Sequence, residues 1–389
     1  VGSVAIISVR ALQAVQVAGF AAMIGWIGIR TAGHVLHAVR SESSAEVRPL
    51  QTFQPTRWRS WRELPVDFEH VFNPRVELRD ISFRRYARFK ISRLGVSSTP
   101  RVLFGSDGWL FYNHDGEGYP YYTPGDPRLT ARLGEWTRAL PEWRAWLADR
   151  DIRLLIVIAP NKQSVYPENL PPIERKQTGP TPTDRLLADL RAADPALNVV
   201  DLRNPLRAAR SGGPMYFKTD THWLPAGARA GYEETARALG VTPLPPSRFR
   251  GGPGPTHAGD LTRLLGWWPH PPEPFDHLEV VDPAAREVPL ADAGDDTAKL
   301  DYLDARALES PLAGGTRLVA FHDSFGDGLY VNLLAEHFAR TVAIPSSHMD
   351  PAVIERERPA VVVLEIVERM FQGIGARRPT DPPRRSIVR

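Results

Sequence analysis

Three short runs constrain the fold more than any other feature of this chain: "IRLLIVIAP" (152–160), "TRLVAFHD" (316–323) and "PAVVVLEI" (359–366). Each is a nearly unbroken apolar stretch with β-branched residues, of strand rather than helix length, which marks the core strands of a sheet. Around them the period changes. "DPRLTARLGEWTRALPEWRAWLADR", "TPTDRLLADLRAA" and "LPAGARAGYEETARALG" carry apolar residues at helical spacing, with "LNVVDL" as a further strand. This alternation predicts an α/β fold, a sheet flanked by helices. A proline inside the first helical segment marks a break or a new first turn. "RVLFGSDGWLFYN" (101–113) predicts two short strands joined by the turn "GSDG". Residues 240–300 lose the alternation and are expected to form an irregular insertion.

A length of 389 residues allows one large core or two smaller ones, and we expect one principal domain with long decorations. The 37 prolines and 30 glycines predict many turns and long loops within it. A formal charge of +3 is small against 48 basic and 45 acidic side chains, so charge makes no case for a nucleic-acid partner. Zinc-finger spacing and aromatic RNA-binding motifs are also missing. "RRYARFKISR" (84–93) reads as a solvated face, with contact to anionic lipid headgroups as the alternative. The lack of cysteine excludes disulfides, thiolate catalysis and cysteine metal sites within this chain.

Residues 11–29, "ALQAVQVAGFAAMIGWIGI", carry no formal charge and are long enough for a single membrane-spanning helix. We expect residues 1–40 to be an uncleaved membrane anchor; a cleaved signal-like segment and a buried helix are the alternatives. Arginines on both sides leave its orientation open. Residues 41–69 read as linker and lead-in to a domain expected outside the cytoplasm. The tail, 373–389, is polar and proline-rich.

Two short constellations carry chemistry. In "FHDSFGDGLY" (321–330), Ser324 follows a strand and precedes a helical pattern, so it is either a helix cap or a nucleophile on a sharp turn. In "MYFKTDTHW", Asp220 and His222 are two positions apart. A histidine can take a proton from an attacking serine and return it to the leaving group, while an aspartate fixes its tautomer. Taken separately, the pair also fits a turn aspartate beside a packed histidine, and Asp-x-His lacks a convincing third ligand for a metal. Together the two constellations permit an acyl-transfer triad: Ser324 nucleophile, His222 base and acid, Asp220 orienter.

"FGSDGWLFY", "VIAPNKQSVYPENLP", "TDTHWLPAGARAGY", "GDLTRLLG" and "HDSFGDGL" follow one another in an order that resembles the SGNH-hydrolase-like domain of the alginate O-acetyltransferase family, over about residues 70–372. The resemblance implies an SGNH-like sheet flanked by helices. It also implies Asp220, His222 and Ser324 as the triad, a polysaccharide acceptor, a membrane-bound acyltransferase supplying the acetyl group, and no cofactor or metal. An acetylesterase and a noncatalytic polysaccharide-binding or assembly protein are the other functional readings. Two positions depart from the family pattern. His322 stands where the family commonly has Gly before Asp-Ser, adding a second possible base, and Leu224 stands where Asn or Thr often follows the Trp. Supporting or substrate-binding candidates are Asn161 and Lys162 after a core strand, Tyr166 near them, Trp223 behind the histidine, and His322 and Asp323 at the serine turn. Lys162 reads as either solvated or in contact with a polar substrate. Trp267 and Trp268 are candidates for a sugar platform or local core, and Glu368 and Arg369 for an internal ion pair.

Overall fold

The computed structural model describes residues 77–113, 127–175, 179–267, 269, 271–290, 304–311 and 314–381. The expected anchor (1–40), the linker (41–69) and Trp268 lie outside the described residues. Among those described, no helix is long and apolar enough to cross a membrane.

The chain divides into two units, Val1–Leu94 and Gly95–Arg389. In the first, the helix Glu77–Phe89 runs into a π-helical turn at Lys90–Leu94, so the basic stretch is helical.

The second unit is built on a seven-stranded sheet. Its strands are β3 (Arg153–Ala159), β4 (Val199–Asp201), β7 (Arg286–Val288), β8 (Arg306–Glu309), β9 (Arg317–His322), β10 (Arg340–Pro345) and β11 (Val361–Val367), in the order β4-β3-β11-β9-β10-β8-β7. The first five in that order are parallel, and β8 and β7 continue the sheet antiparallel. β1 (Val102–Phe104) and β2 (Leu110–Tyr112) form the expected hairpin, with Asp107 at φ 54 in its turn.

The unbroken apolar runs are explained by burial on both faces. From β3, Leu155, Val157 and Ala159 join one core while Leu154, Ile156 and Ile158 join the other; β11 divides the same way, Val361, Val363 and Val367 against Val362, Leu364 and Ile366. The second core is closed by the helix Pro127–Ala148, which continues through Pro141 and buries Trp136 and Trp143. Their indole N–H groups donate to the carbonyls of Ile374 and Arg377, docking the start of the polar tail on this helix. The helix Pro182–Ala193 starts at a capping box of Thr181 and Asp184.

Within 240–300, β5 (Phe249–Pro253) and β6 (Asp276–Val280) pair antiparallel, with a short helix, Asp260–Leu264, between them. Because β3, β11 and β9 are adjacent and parallel, the segments after them emerge at one edge of the sheet. That edge is where ligands of open α/β sheets bind.

Candidate active site

β9 ends at His322, and residues 323–328 turn before the helix Leu329–Ala335 begins. The N-cap of that helix is Gly328, so Ser324 is too far upstream to be a cap. Ser324 instead stands exposed on top of the turn. Three neighbouring amides point inward: Phe325 N–H donates to Asp323 Oδ1 (2.8 Å), Gly326 N–H to the Asp323 carbonyl (3.2 Å), and Asp323 N–H to Glu365 Oε2 (3.3 Å). Asp323 Oδ2 also accepts from Val367 N–H (2.8 Å), tying the turn to the end of β11. Gly326 permits this tight fold: a Cβ there would stand 2.4 Å from His322 Cβ.

Ser324, His222 and Asp220 meet. Ser324 Oγ lies 2.8 Å from His222 Nε2, and His222 Nδ1 lies 2.7 Å from Asp220 Oδ1. With Asp220 accepting at Nδ1, Nε2 carries the lone pair and Ser324 donates to it. The imidazole leans on Phe325 at a centroid distance of 5.1 Å.

Asp220 is buried and accepts four N–H groups. Oδ1 takes the His222 ring and His222 amide (2.9 Å); Oδ2 takes His257 Nε2 (2.7 Å) and the Asp260 amide (2.8 Å). Burial alone would raise its pKa, but the hydrogen bonds from His222, His257 and Asp260 overcome it and hold the carboxyl far below the usual range.

The insertion supplies much of this scaffold. Asp260 accepts from the Thr221 amide (2.8 Å) and the Thr221 hydroxyl. Glu273 accepts from the amides of Lys218 and Thr219 and from the Thr219 hydroxyl. Gly259 lets the insertion close on this segment, since a Cβ there would lie 2.0 Å from the Thr219 carbonyl oxygen. Asp260 falls within "GDLTRLLG", but none of His257, Asp260 and Glu273 stood out as a site residue, because each belongs to the stretch without a regular alternation.

Lys162 holds the segment from the other side. It is buried rather than solvated, and its ammonium donates to the carbonyls of Phe217 (3.0 Å), Lys218 (3.0 Å) and Asp220 (2.6 Å). Burial lowers its pKa to about 7, against the opposing pull of Asp260, Glu273 and Asp220.

The remaining candidates are distributed around this centre. Asn161 donates its amide to Glu368 Oε2 (2.7 Å), and its Oδ1 accepts from Arg369 (3.2 Å). Tyr166 packs on Trp109 at 4.2 Å and accepts from the Met215 amide. Trp223 is buried behind the histidine, edge-on to Phe325. His322 is buried and donates Nδ1–H to the Asp323 carbonyl (2.8 Å), and burial lowers its pKa. It therefore packs beneath the turn, while His222 occupies the base position. Glu368 lies 3.8 Å from Arg203 and accepts from Ser164; Arg369 lies over the Phe325 ring, so the expected ion pair is replaced by separate contacts.

Asp260 supplies the third potential ligand that Asp-x-His lacked, since donor atoms of Asp220, His222 and Asp260 lie within 4.8 Å of one another. Those atoms are already engaged: each Asp220 oxygen takes two N–H groups, each Asp260 oxygen takes Thr221, and His222 bridges Asp220 and Ser324. A cation would have to displace this network. The donor set fits a hydrogen-bonded triad better than a metal centre.

The family model described as "SGNH hydrolase-like domain, acetyltransferase AlgX" matches residues 102–300, a span that holds Asp220, His222 and Asp260 and ends short of Ser324. The "Probable alginate O-acetylase AlgJ" of Pseudomonas aeruginosa is 28% identical over 332 residues, 82% of this chain and 71% of that protein. Its namesake in Azotobacter vinelandii is 28% identical over 210 residues, 52% of this chain and 51% of the relative, so the match spans about half of that protein's length. Among solved structures, Bacillus cereus PatB1 with a sulfonyl adduct superposes with a TM-score of 0.52 at 17% identity, over 69% of this chain and 95% of that one. A DHHW family protein from Eubacterium siraeum gives 0.51 at 16%, over 70% and 95%. These two likenesses speak to the fold alone. With half of its length matched by the family model, the chain belongs to the AlgJ/AlgX family of SGNH hydrolase-like alginate O-acetyltransferases.

Proposed function

We propose that the chain is a serine-dependent O-acetyltransferase that moves an acetyl group to a hydroxyl of an exported or cell-surface polysaccharide. The observation that carries this reading is the unbroken chain Ser324–His222–Asp220 at the exposed edge of the sheet. Ser324 Oγ attacks the donor's acetyl carbonyl while His222 Nε2 takes the hydroxyl proton and passes it to the leaving group. The acceptor hydroxyl then attacks acetyl-Ser324, giving its proton to His222, which returns it to Ser324 Oγ. Asp220 holds the ring tautomer and offsets the imidazolium charge. For the oxyanion, the Ser324 amide is the available donor: among residues 323–326 it alone has no protein acceptor within the described residues.

The apolar stretch 11–29 supports a membrane anchor, and membership of the family supports a domain outside the cytoplasm and a membrane-bound acyltransferase as the acetyl source. Ester hydrolysis is the competing outcome at the same residues, because Ser324 is exposed to water.

The test is time-resolved mass spectrometry of the protein with an activated acetyl ester and a panel of surface oligosaccharides, with Ser324→Ala alongside. Acetylated sugar formed only by the unmutated protein is the expected result. Acetate release with no modified sugar in the panel would replace transfer with hydrolysis.

A further inference from the structure

β11 reads "VVVLEIV", and its acidic member, Glu365, is fully buried on the face where Val363 and Val367 line the core. A carboxyl at such a position costs far more than a valine unless its hydrogen bonds are put to use. Glu365 lies directly beneath the serine turn. Its Oε2 accepts the Asp323 amide (3.3 Å), and a Cβ on Gly326 would stand only 2.8 Å from it. Oε1 is buried with no hydrogen-bond partner among the described residues.

We propose that Glu365 is a positioning residue for the nucleophile turn, drawing the Asp323 amide inward from beneath Gly326 so that the Ser324 amide is the one left facing substrate. The inference rests on the acyl-transfer reading of Ser324 and adds the part of the fold that sets its geometry. Together, the oxygens of Glu365 and Asp323 receive the amides of residues 323, 325 and 326, the last through the Asp323 carbonyl. A slack turn would let these amides compete with Ser324 N–H for the oxyanion or rotate Ser324 away from His222.

The role requires acceptor oxygens, and the surroundings favour the neutral acid. Burial pushes the Glu365 pKa well above the ordinary carboxyl range, and the Asp323 charge adds to this; the neighbouring backbone N–H groups and Arg369 oppose it. Tyr216 and Tyr330 are the other titratable groups that sense Glu365, and His322 lies beside it across Gly326. None of these supplies a cation within hydrogen-bonding reach.

The test uses the full chain with Glu365→Gln, which keeps the shape and an acceptor oxygen, and Glu365→Met, which removes both oxygens. Acetyl-transfer kcat and KM are measured, together with the rate at which a sulfonyl fluoride labels Ser324, followed by mass spectrometry below the melting transition of every variant. E365Q should stay within about threefold of the parent in both rates. E365M should lose about tenfold or more in kcat and in labelling with KM unchanged, the scale of leaving the Asp323 amide without its acceptor. Where E365M does not fold, Glu365→Asp replaces it and should show the same loss, because it withdraws the carboxyl by one methylene. If E365Q is as damaged as E365M, or if E365M labels and turns over normally, the proposal is overturned. Slow labelling of E365M in a protein that transfers no acetyl group would retain the turn's dependence on Glu365 and sink the acyl-transfer reading instead.

Discussion

Asp220→Asn replaces two acceptor oxygens with one oxygen and one NH2 group, in a pocket where four N–H donors converge. One pair of donors must therefore face the amide nitrogen. If the Asn oxygen serves the His222 pair, the Asp260 amide loses its acceptor, and His257 keeps a bond only by moving its proton to Nδ1 so that Nε2 accepts from the NH2 group. One part-buried amide left without its acceptor, at about 1–3 kcal/mol, sets the stability loss. If the amide turns over, its NH2 donates to His222 Nδ1 and forces the proton onto Nε2, leaving no lone pair to receive the Ser324 proton. In either orientation the charge opposite the imidazolium is gone. At about 4 Å and an effective dielectric of about 20, that charge is worth about 4 kcal/mol, or about a thousandfold in rate. The assay is kcat for acetate release and acetyl transfer from an activated ester, beside denaturant titration of the same preparation. A folded variant with kcat within about tenfold of the parent would refute the role given to Asp220.

Ser324→Ala should lower kcat by at least about a thousandfold with an unchanged melting temperature, since the serine is exposed and its hydroxyl holds no part of the core; calorimetry beside the kinetic assay checks both. His257→Phe keeps a ring against Phe217, 4.5 Å away, but withdraws one donor from Asp220, so kcat should fall about tenfold with KM little changed. Lys162 supplies a signature in pH. Its folded pKa of about 7 lies below its ordinary 10.5, so between those values the unfolded chain binds more protons and stability rises with pH. The cost of burying the ammonium is fullest below pH 7 and is relieved towards pH 10.5. Lys162→Met should remove that slope in denaturant titrations across this window; an identical slope in the variant would assign it to another group.

The parallel core was legible because burial on both faces leaves β3, β9 and β11 almost no choice of side chain, and such runs stand out from any surface element. Ser324, His222 and Asp220 were legible as residue types on short motifs. Their meeting was not, since Ser324 and His222 are separated by 102 positions. The sequence left Ser324 open as a cap because it shows a helix following but not its first turn, which begins only at Leu329. Lys162 was ambiguous for a similar reason: just past a strand, one backbone rotation separates a side chain in water from one beneath the next loop. His257, Asp260 and Glu273 were not legible as site residues because they act from a stretch without alternation, Asp260 from the first position of a short helix. Glu273 reaches the Thr219 amide across 54 positions, and no local pattern records such a contact. Pro141 shows the reverse, a strong local breaker overridden by the packing of Trp136 and Trp143 on either side of it.

The clamp that His257, Asp260 and Glu273 place on residues 218–222 joins two properties that enzymes often keep apart. In many folds an insertion can be exchanged to change which substrate is accepted while the catalytic groups remain on the scaffold. In this chain the same loop that reaches outward also fixes the orienting aspartate. Grafting a relative's insertion to retarget the protein would therefore alter turnover along with recognition, unless those three side chains and Gly259 travelled with it.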